Sequence, residues 1–181
     1  MASPSVPKVQ VFHPVPVGRR VRWVVLFIAS AVVFFVGMHL GLLILLPHAL
    51  GNLLAWLALI LGPITVALMW YGARIRFYLI DGNDLVIDRA FFPIRIPLAN
   101  YTLIHEFRGR VGAVDKVMGN DGLGAIAGYF QSAEHGHLRI YATDVAHSIM
   151  LEGPSEKLIV SPSDPAAFIE AVLYHFYTRT H

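Results

Sequence analysis

From Trp23 to Ala73 the chain runs for 51 residues without an Asp, Glu, Lys or Arg. After Arg74 the pattern changes to short alternating segments broken by turn residues, and it ends in one helical stripe. A bilayer core of roughly 30 Å takes about 20 apolar residues in a helix. Val24–Leu46 supplies 23 and Leu53–Tyr71 supplies 19. Only Pro47-His48-Ala49-Leu50-Gly51-Asn52, between them, has turn chemistry. The pattern predicts a two-helix transmembrane hairpin. A cleaved signal peptide would have a shorter apolar core and a small-residue cleavage site. A buried soluble hairpin would need more chain to cover it than remains.

The second half predicts strands. Arg76–Asp81 and Asp84–Arg89 flank Gly82-Asn83, a hairpin signature. Arg95–Leu98 is a short strand that Pro97 pushes to a sheet edge. Tyr101–Phe107 is either a strand or a single turn. Leu138–Ala142, Ser148–Leu151 and Lys157–Val160 follow as strands. Asp164 then caps a helix over Ala166–Tyr177, with Pro165 at its first position and Phe168, Val172 and Leu173 on one stripe. Met1–Gly18 holds four prolines and reads as extended or disordered, though Val9–Phe12 has the composition to pair with a sheet edge. The expected divisions are a basic arm over residues 1–22, a hairpin over 23–72 and a cytoplasmic domain over 73–181. That domain is an α+β unit, a bent antiparallel sheet or partly closed barrel capped by the C-terminal helix.

Charge fixes the orientation. Lys8, Arg19, Arg20 and Arg22 precede the apolar run with no acid among them, and Arg74 and Arg76 follow it at once. Positive flanks stay in the cytoplasm. Both termini therefore face the cytoplasm, and the membrane is crossed twice. Arg19, Arg20, Arg22, Trp23, Trp70, Tyr71, Arg74 and Arg76 are the expected interface anchors, with membrane lipids as their partners. Beyond Arg76 eight basic residues meet twelve acidic ones, so no nucleic-acid face is expected. The chain has no cysteine, which excludes disulfides, thiolate metal sites and a cysteine nucleophile.

Three blocks of sequence carry a resemblance. Val117–Gly124 leads to Gly128-Tyr129-Phe130; Arg139–Asp144 reads Arg-Ile-Tyr-Ala-Thr-Asp; Ile159–Pro165 reads Ile-Val-Ser-Pro-Ser-Asp-Pro, with Phe168 beyond it. In this order they resemble the bacterial pleckstrin-homology-like (PH-like) domain family, in its membrane-anchored type, over about residues 73–178. The segment Gly122–Ala127 departs from the more aromatic loop of that family. The resemblance implies a recognition scaffold that often follows membrane helices, and in related proteins assists assembly of photosynthetic complexes. Fold alone does not fix function.

Candidate chemistry is sparse. Gly119–Gly128 holds four glycines but runs into a strand, not a helix N-terminus, so it reads as a long turn with positive φ and not a phosphate cradle. His39, alone within the first span, is a weak tetrapyrrole candidate; the plainer reading is a hydrogen bond to Thr65 or to another subunit. His135 and His137 would share a face if both lay on a strand and are weak metal candidates, with His105, Glu106 or His147 as further ligands. Phe91 and Phe92 are either core or a patch that touches membrane or partner. With Gly122, Leu123 and Gly124 they are the partner-binding candidates. No catalytic residue and no cofactor is expected. The reading is a non-catalytic adaptor, assembly factor or accessory subunit among other integral membrane subunits of a larger complex, photosynthetic ones included. A histidine-based metal-dependent membrane enzyme or sensor and an anionic-lipid sensor are the alternatives.

Overall fold

The computed structural model describes residues 9–45, 49–107 and 114–178. A short strand β1 (Val9–Phe12) comes first. Two long helices follow, α1 (Arg19–Leu45) and α2 (Ala49–Ala73). The strands β2 (Ile75–Asp81), β3 (Asp84–Arg89) and β4 (Ile94–Pro97) lead into a 3-10 turn at Leu98–Asn100 and then β5 (Leu103–Phe107). Next come β6 (Val114–Asp121), β7 (Ile126–Ser132), β8 (Gly136–Ala142), β9 (Ser148–Glu152) and β10 (Lys157–Val160), and α3 (Pro165–Thr178) ends the described chain.

Two sheets form. One has the order β1-β2-β3-β4; the other has the order β5-β9-β10-β8-β7-β6 and is antiparallel except where β10 runs parallel to β8. Gly82 takes a φ of +58° at the first position of the two-residue β2–β3 turn, where a side chain would be strained. Pro97 does lie on an edge strand. The ambiguous segment near Tyr101 resolves as a strand because β5 pairs with β9 from Leu103 to Phe107.

The main core lies between the sheets and under α3. Tyr78, Ile80, Leu85, Ile87 and Ile96 face Ile149, Leu151, Leu158 and Val160, and Phe168 and Val172 of α3 seal it. Asp164 caps α3 as expected: its carboxylate accepts a hydrogen bond from Ala167 N at 3.0 Å. A second core covers the other face of the larger sheet, where Val21 and Val25 of α1 pack with Phe130, Leu138, Ile140 and Ile159. The start of α1 is thus part of the domain.

Three expectations change. Of the arm expected over residues 1–22, the described part from Val9 onward is not separate from the domain expected over 73–181. β1 pairs along β2, and the segment after it is stitched to the far sheet: Val15 N donates to Ser161 O at 2.8 Å, Ser163 N to His13 O at 2.8 Å, and Thr143 Oγ1 to Val15 O at 2.6 Å. The loop expected over 47–52 is shorter, because Ala49–Asn52 are already helical; Pro47 and His48 lie outside the described residues. The long turn expected over Gly119–Gly128 is mostly ladder. Gly119 and Gly128 face each other across β6 and β7, and a Cβ on either would strike the opposite backbone.

Candidate interface at the helix–domain junction

Both long helices meet the domain at one loop. The side chain of Asn120 donates to Leu123 O at 2.6 Å and Ala125 O at 2.9 Å, and its oxygen accepts from Leu123 N at 3.0 Å. The loop is therefore held in shape before it touches anything. Its two glycines make the contact. A Cβ on Gly122 would stand 2.9 Å from Val24 of α1, and one on Gly124 would stand 3.1 Å from Trp70 O and 3.2 Å from Arg74 Cγ at the end of α2. Both have positive φ, +109° and +81°. The loop of Gly122, Leu123 and Gly124, expected to recruit a partner, is instead occupied by the chain's own helices. Asn120, which shapes it, was not singled out by the sequence reading; an Asn two residues before a Gly-x-Gly run is the signal that would have marked it.

The expected interface residues collect at this junction. Arg19, Arg20, Arg22 and Trp23 are exposed on the first turns of α1. On α2, Trp70 and Tyr71 are exposed, and the Arg74 guanidinium lies 4.8 Å above the Trp70 ring. Arg76 pairs with Asp88 at 3.6 Å. Phe91 and Phe92 are not core: they are 47% and 74% exposed. Phe91 packs edge-on to Tyr71 at 5.9 Å and lies so close to Gly72 that a Cβ there would overlap its ring. The β3–β4 loop thus sits beside the end of α2. Next to it, a cleft of about 480 Å³ opens between His13 and Pro14 of the arm, Tyr71 and Arg74 at the end of α2, and Arg76 and Ala90 at the end of the β2–β3 ladder.

The histidine candidates disperse. His39 donates from Nδ1 to Phe35 O, one turn back at 3.0 Å, and stacks on the Phe35 ring at 4.6 Å; Thr65 donates to Leu61 O at 2.7 Å. The expected His39–Thr65 bond does not form, because each side chain is satisfied by its own helix. His135 lies in the β7–β8 turn beside Glu134 and Phe107, while His137 is on β8, so the two do not share a strand face. His105 pairs with Glu152 at 3.6 Å and His147 with Asp144 at 3.0 Å. Among the described residues no three His, Asp or Glu side chains are grouped to hold a metal.

A polar cluster that sequence reading missed lies inside the domain. Tyr101 donates to Glu156 Oε1 at 2.7 Å, Arg139 reaches the same carboxylate at 3.7 Å, and the Arg139 guanidinium lies over the rings of Tyr129 and Tyr141. Burial, and then the Glu156 carboxylate, push the Tyr101 hydroxyl well above the ordinary range of a phenol. The members satisfy one another, which marks the cluster as internal support.

Residues 76–176, from β2 through α3, match the family model for the bacterial PH domain. The chain belongs to that family. No curated protein and no solved structure matches it. The PH domain so defined excludes β1, α1 and α2. Among the described residues one helical segment, Arg19–Gly41, is long and apolar enough to cross a membrane, and α2 contributes a shorter apolar stretch, Leu59–Ala73. The junction cleft therefore straddles the boundary of the PH domain: Arg76 and Ala90 belong to it, and His13, Tyr71 and Arg74 do not.

Proposed function

We propose that this chain is a membrane-anchored, non-catalytic PH-domain adaptor or accessory subunit. In this reading α1 and α2 form a two-span hairpin in a bacterial inner membrane, with both termini in the cytoplasm. The observation that carries it is the surface of the helices. Phe27, Val33, Phe34 and Ile44 are 72–81% exposed, and Trp56, Ile60, Leu61, Leu68 and Met69 are exposed on α2. Contiguous apolar surface on this scale has no place in water. The basic and aromatic residues lie at the domain end of both helices, where a headgroup layer would meet them.

The domain is seated on the helices by its glycine loop, so it is held at a set distance from the bilayer. A tethered surface needs only modest affinity to hold a partner. With the loop occupied, β6, an edge strand of the larger sheet among the described residues, offers a surface for recruitment; it exposes Val117 and Met118. Other integral membrane subunits are the expected partners.

The absence of cysteine makes topology testable directly. Single cysteines at Asn52 and Ser163, probed with an impermeant maleimide on intact spheroplasts, are expected to label at residue 52 only. Labelling at residue 163, or release of the chain by a urea wash, overturns the anchor. Purification in mild detergent is expected to bring other membrane proteins with it, and Met118→Lys is expected to release them.

A further inference from the structure

Away from the junction, the two long helices leave a groove between them. Its volume is about 320 Å³, and its walls include Phe27, Phe35 and Val36 of α1 and Leu59, Gly62 and Pro63 of α2. Every side chain that lines it is apolar. Two hydrogen-bond acceptors nevertheless belong to it. Pro63 has no N–H, so the carbonyl of Leu59, four residues back, loses the donor that a helix normally supplies. Thr65 does not replace that donor, since its hydroxyl donates to Leu61 O. His39 stacks on Phe35, and its Nδ1 is spent on Phe35 O. Its Nε2 is therefore the acceptor of a neutral imidazole, with no partner among the described residues. At Gly62 a Cβ would meet nothing within 4 Å, so the backbone of an incoming segment has room to come close.

We infer that a transmembrane helix of another membrane protein packs into this groove and donates hydrogen bonds to His39 Nε2 and to the carbonyl of Leu59. The inference rests on the anchored reading and names the contact that holds such a subunit. In lipid, helices associate by close packing and interhelical hydrogen bonds, and no water stands in for a missing donor. A proline inside a spanning helix is tolerated where a neighbour satisfies the carbonyl it frees. An acyl chain fills an apolar groove but has no donor to offer. A second copy of this chain offers less, because the hydroxyls of Ser30 and Thr65 already donate to Leu26 O at 2.9 Å and Leu61 O at 2.7 Å. A helix that carries a free serine or threonine meets the demand.

The test is site-specific photo-cross-linking of the full chain in its native membranes. Benzoylphenylalanine replaces either Phe27, which lines the groove, or Val33, which does not; the two are 75% and 72% exposed. At residue 27 one discrete adduct is expected, whose cross-linked peptide is an apolar span of a different protein. Gly62→Trp, which fills the groove, should abolish it. His39→Phe, which keeps a ring beside Phe35 and removes the acceptor, should lower its yield about three- to tenfold. Ile44→Trp, at an exposed position outside the groove, should leave it unchanged. Lipid adducts alone at residue 27, an adduct to a second copy of this chain, or the same yield from residue 33 overturn the inference. So do retention in Gly62→Trp, an unchanged yield in His39→Phe, or equal loss in Ile44→Trp. Release of the chain by a urea wash sinks the anchored reading itself, whereas a chain that resists the wash and gives lipid adducts alone loses only the groove.

Discussion

At Tyr78 a single hydroxyl holds three segments. It donates to Tyr141 O at 2.9 Å, accepts from Ser161 N at 3.2 Å and lies 3.3 Å from Ser161 Oγ, which also accepts from Thr143 N. Tyr78→Phe leaves a buried carbonyl and a buried amide without this partner, and a loss of about 1–3 kcal/mol is expected. Chemical denaturation of the detergent-solubilised chain measures it. The same residue sets an alkaline limit. Burial raises its pKa from 10.0 to about 12, against the lowering effect of the Ser161 hydrogen bonds. The folded state therefore keeps the phenol neutral after the unfolded chain has begun to ionise. Its contribution is complete below pH 10 and is lost as pH rises toward 12, with Tyr101 acting in the same direction. Tyr78→Phe should flatten the fall in stability across that window; an unchanged slope would rule this account out. Neither partner of Tyr78 could be read from sequence, because 63 and 83 residues separate them from it.

Among the elements, those with strong local patterns were legible and those built by long-range backbone approach were not. The β2–β3 hairpin, β8, β9, β10 and α3 announce themselves through Gly82-Asn83, alternating apolar residues and the Asp164-Pro165 start. β6 does not. Its sequence, VDKVMGND, has no alternation, and it is a strand because β7 offers a partner with Gly128 opposite Gly119. A side chain on either glycine meets backbone and must also adopt a strained φ of +137° or +143°. Gly119→Ala is expected to cost on the order of 3 kcal/mol, seen as a lower melting temperature by circular dichroism. The arm is the converse case, since Val9–Phe12 looked marginal and proved integral. Phe12 packs edge-on to Phe168 at 5.1 Å, so replacing Val9–Phe12 by a Gly-Ser run should loosen α3. Faster amide exchange at Phe168 and Val172 is the expected reading.

In the whole molecule, the candidate site was half legible. Charge and aromatic placement single out Arg19, Arg20, Arg22, Trp23, Trp70, Tyr71, Arg74 and Arg76, which the fold gathers at one junction, and of the two readings of Phe91 and Phe92, core and surface, exposure favours the surface. The cleft was not visible, because it assembles residues 13, 71, 74, 76 and 90 from four separate segments. Nor was the seating of the loop on Val24 and Trp70. If that seating sets the pose of the domain, spin labels at Asn83 and Ile60 should report one narrow distance distribution. Gly122→Trp should broaden it while the domain's circular dichroism is kept. A narrow distribution in the variant would mean that other contacts govern the pose.

The stitched arm also dictates an order of events during synthesis. Residues 9–15 leave the ribosome first, yet their hydrogen-bonding partners lie in β2 and at Ser161 and Ser163. Both long helices must be made in the interval. The hairpin is thus an insertion inside the domain's own topology. The first strand waits for β2 until both helices have been made, the segment after it waits for Ser161 and Ser163, and a fragment that starts at residue 73 begins life with one sheet short of its edge.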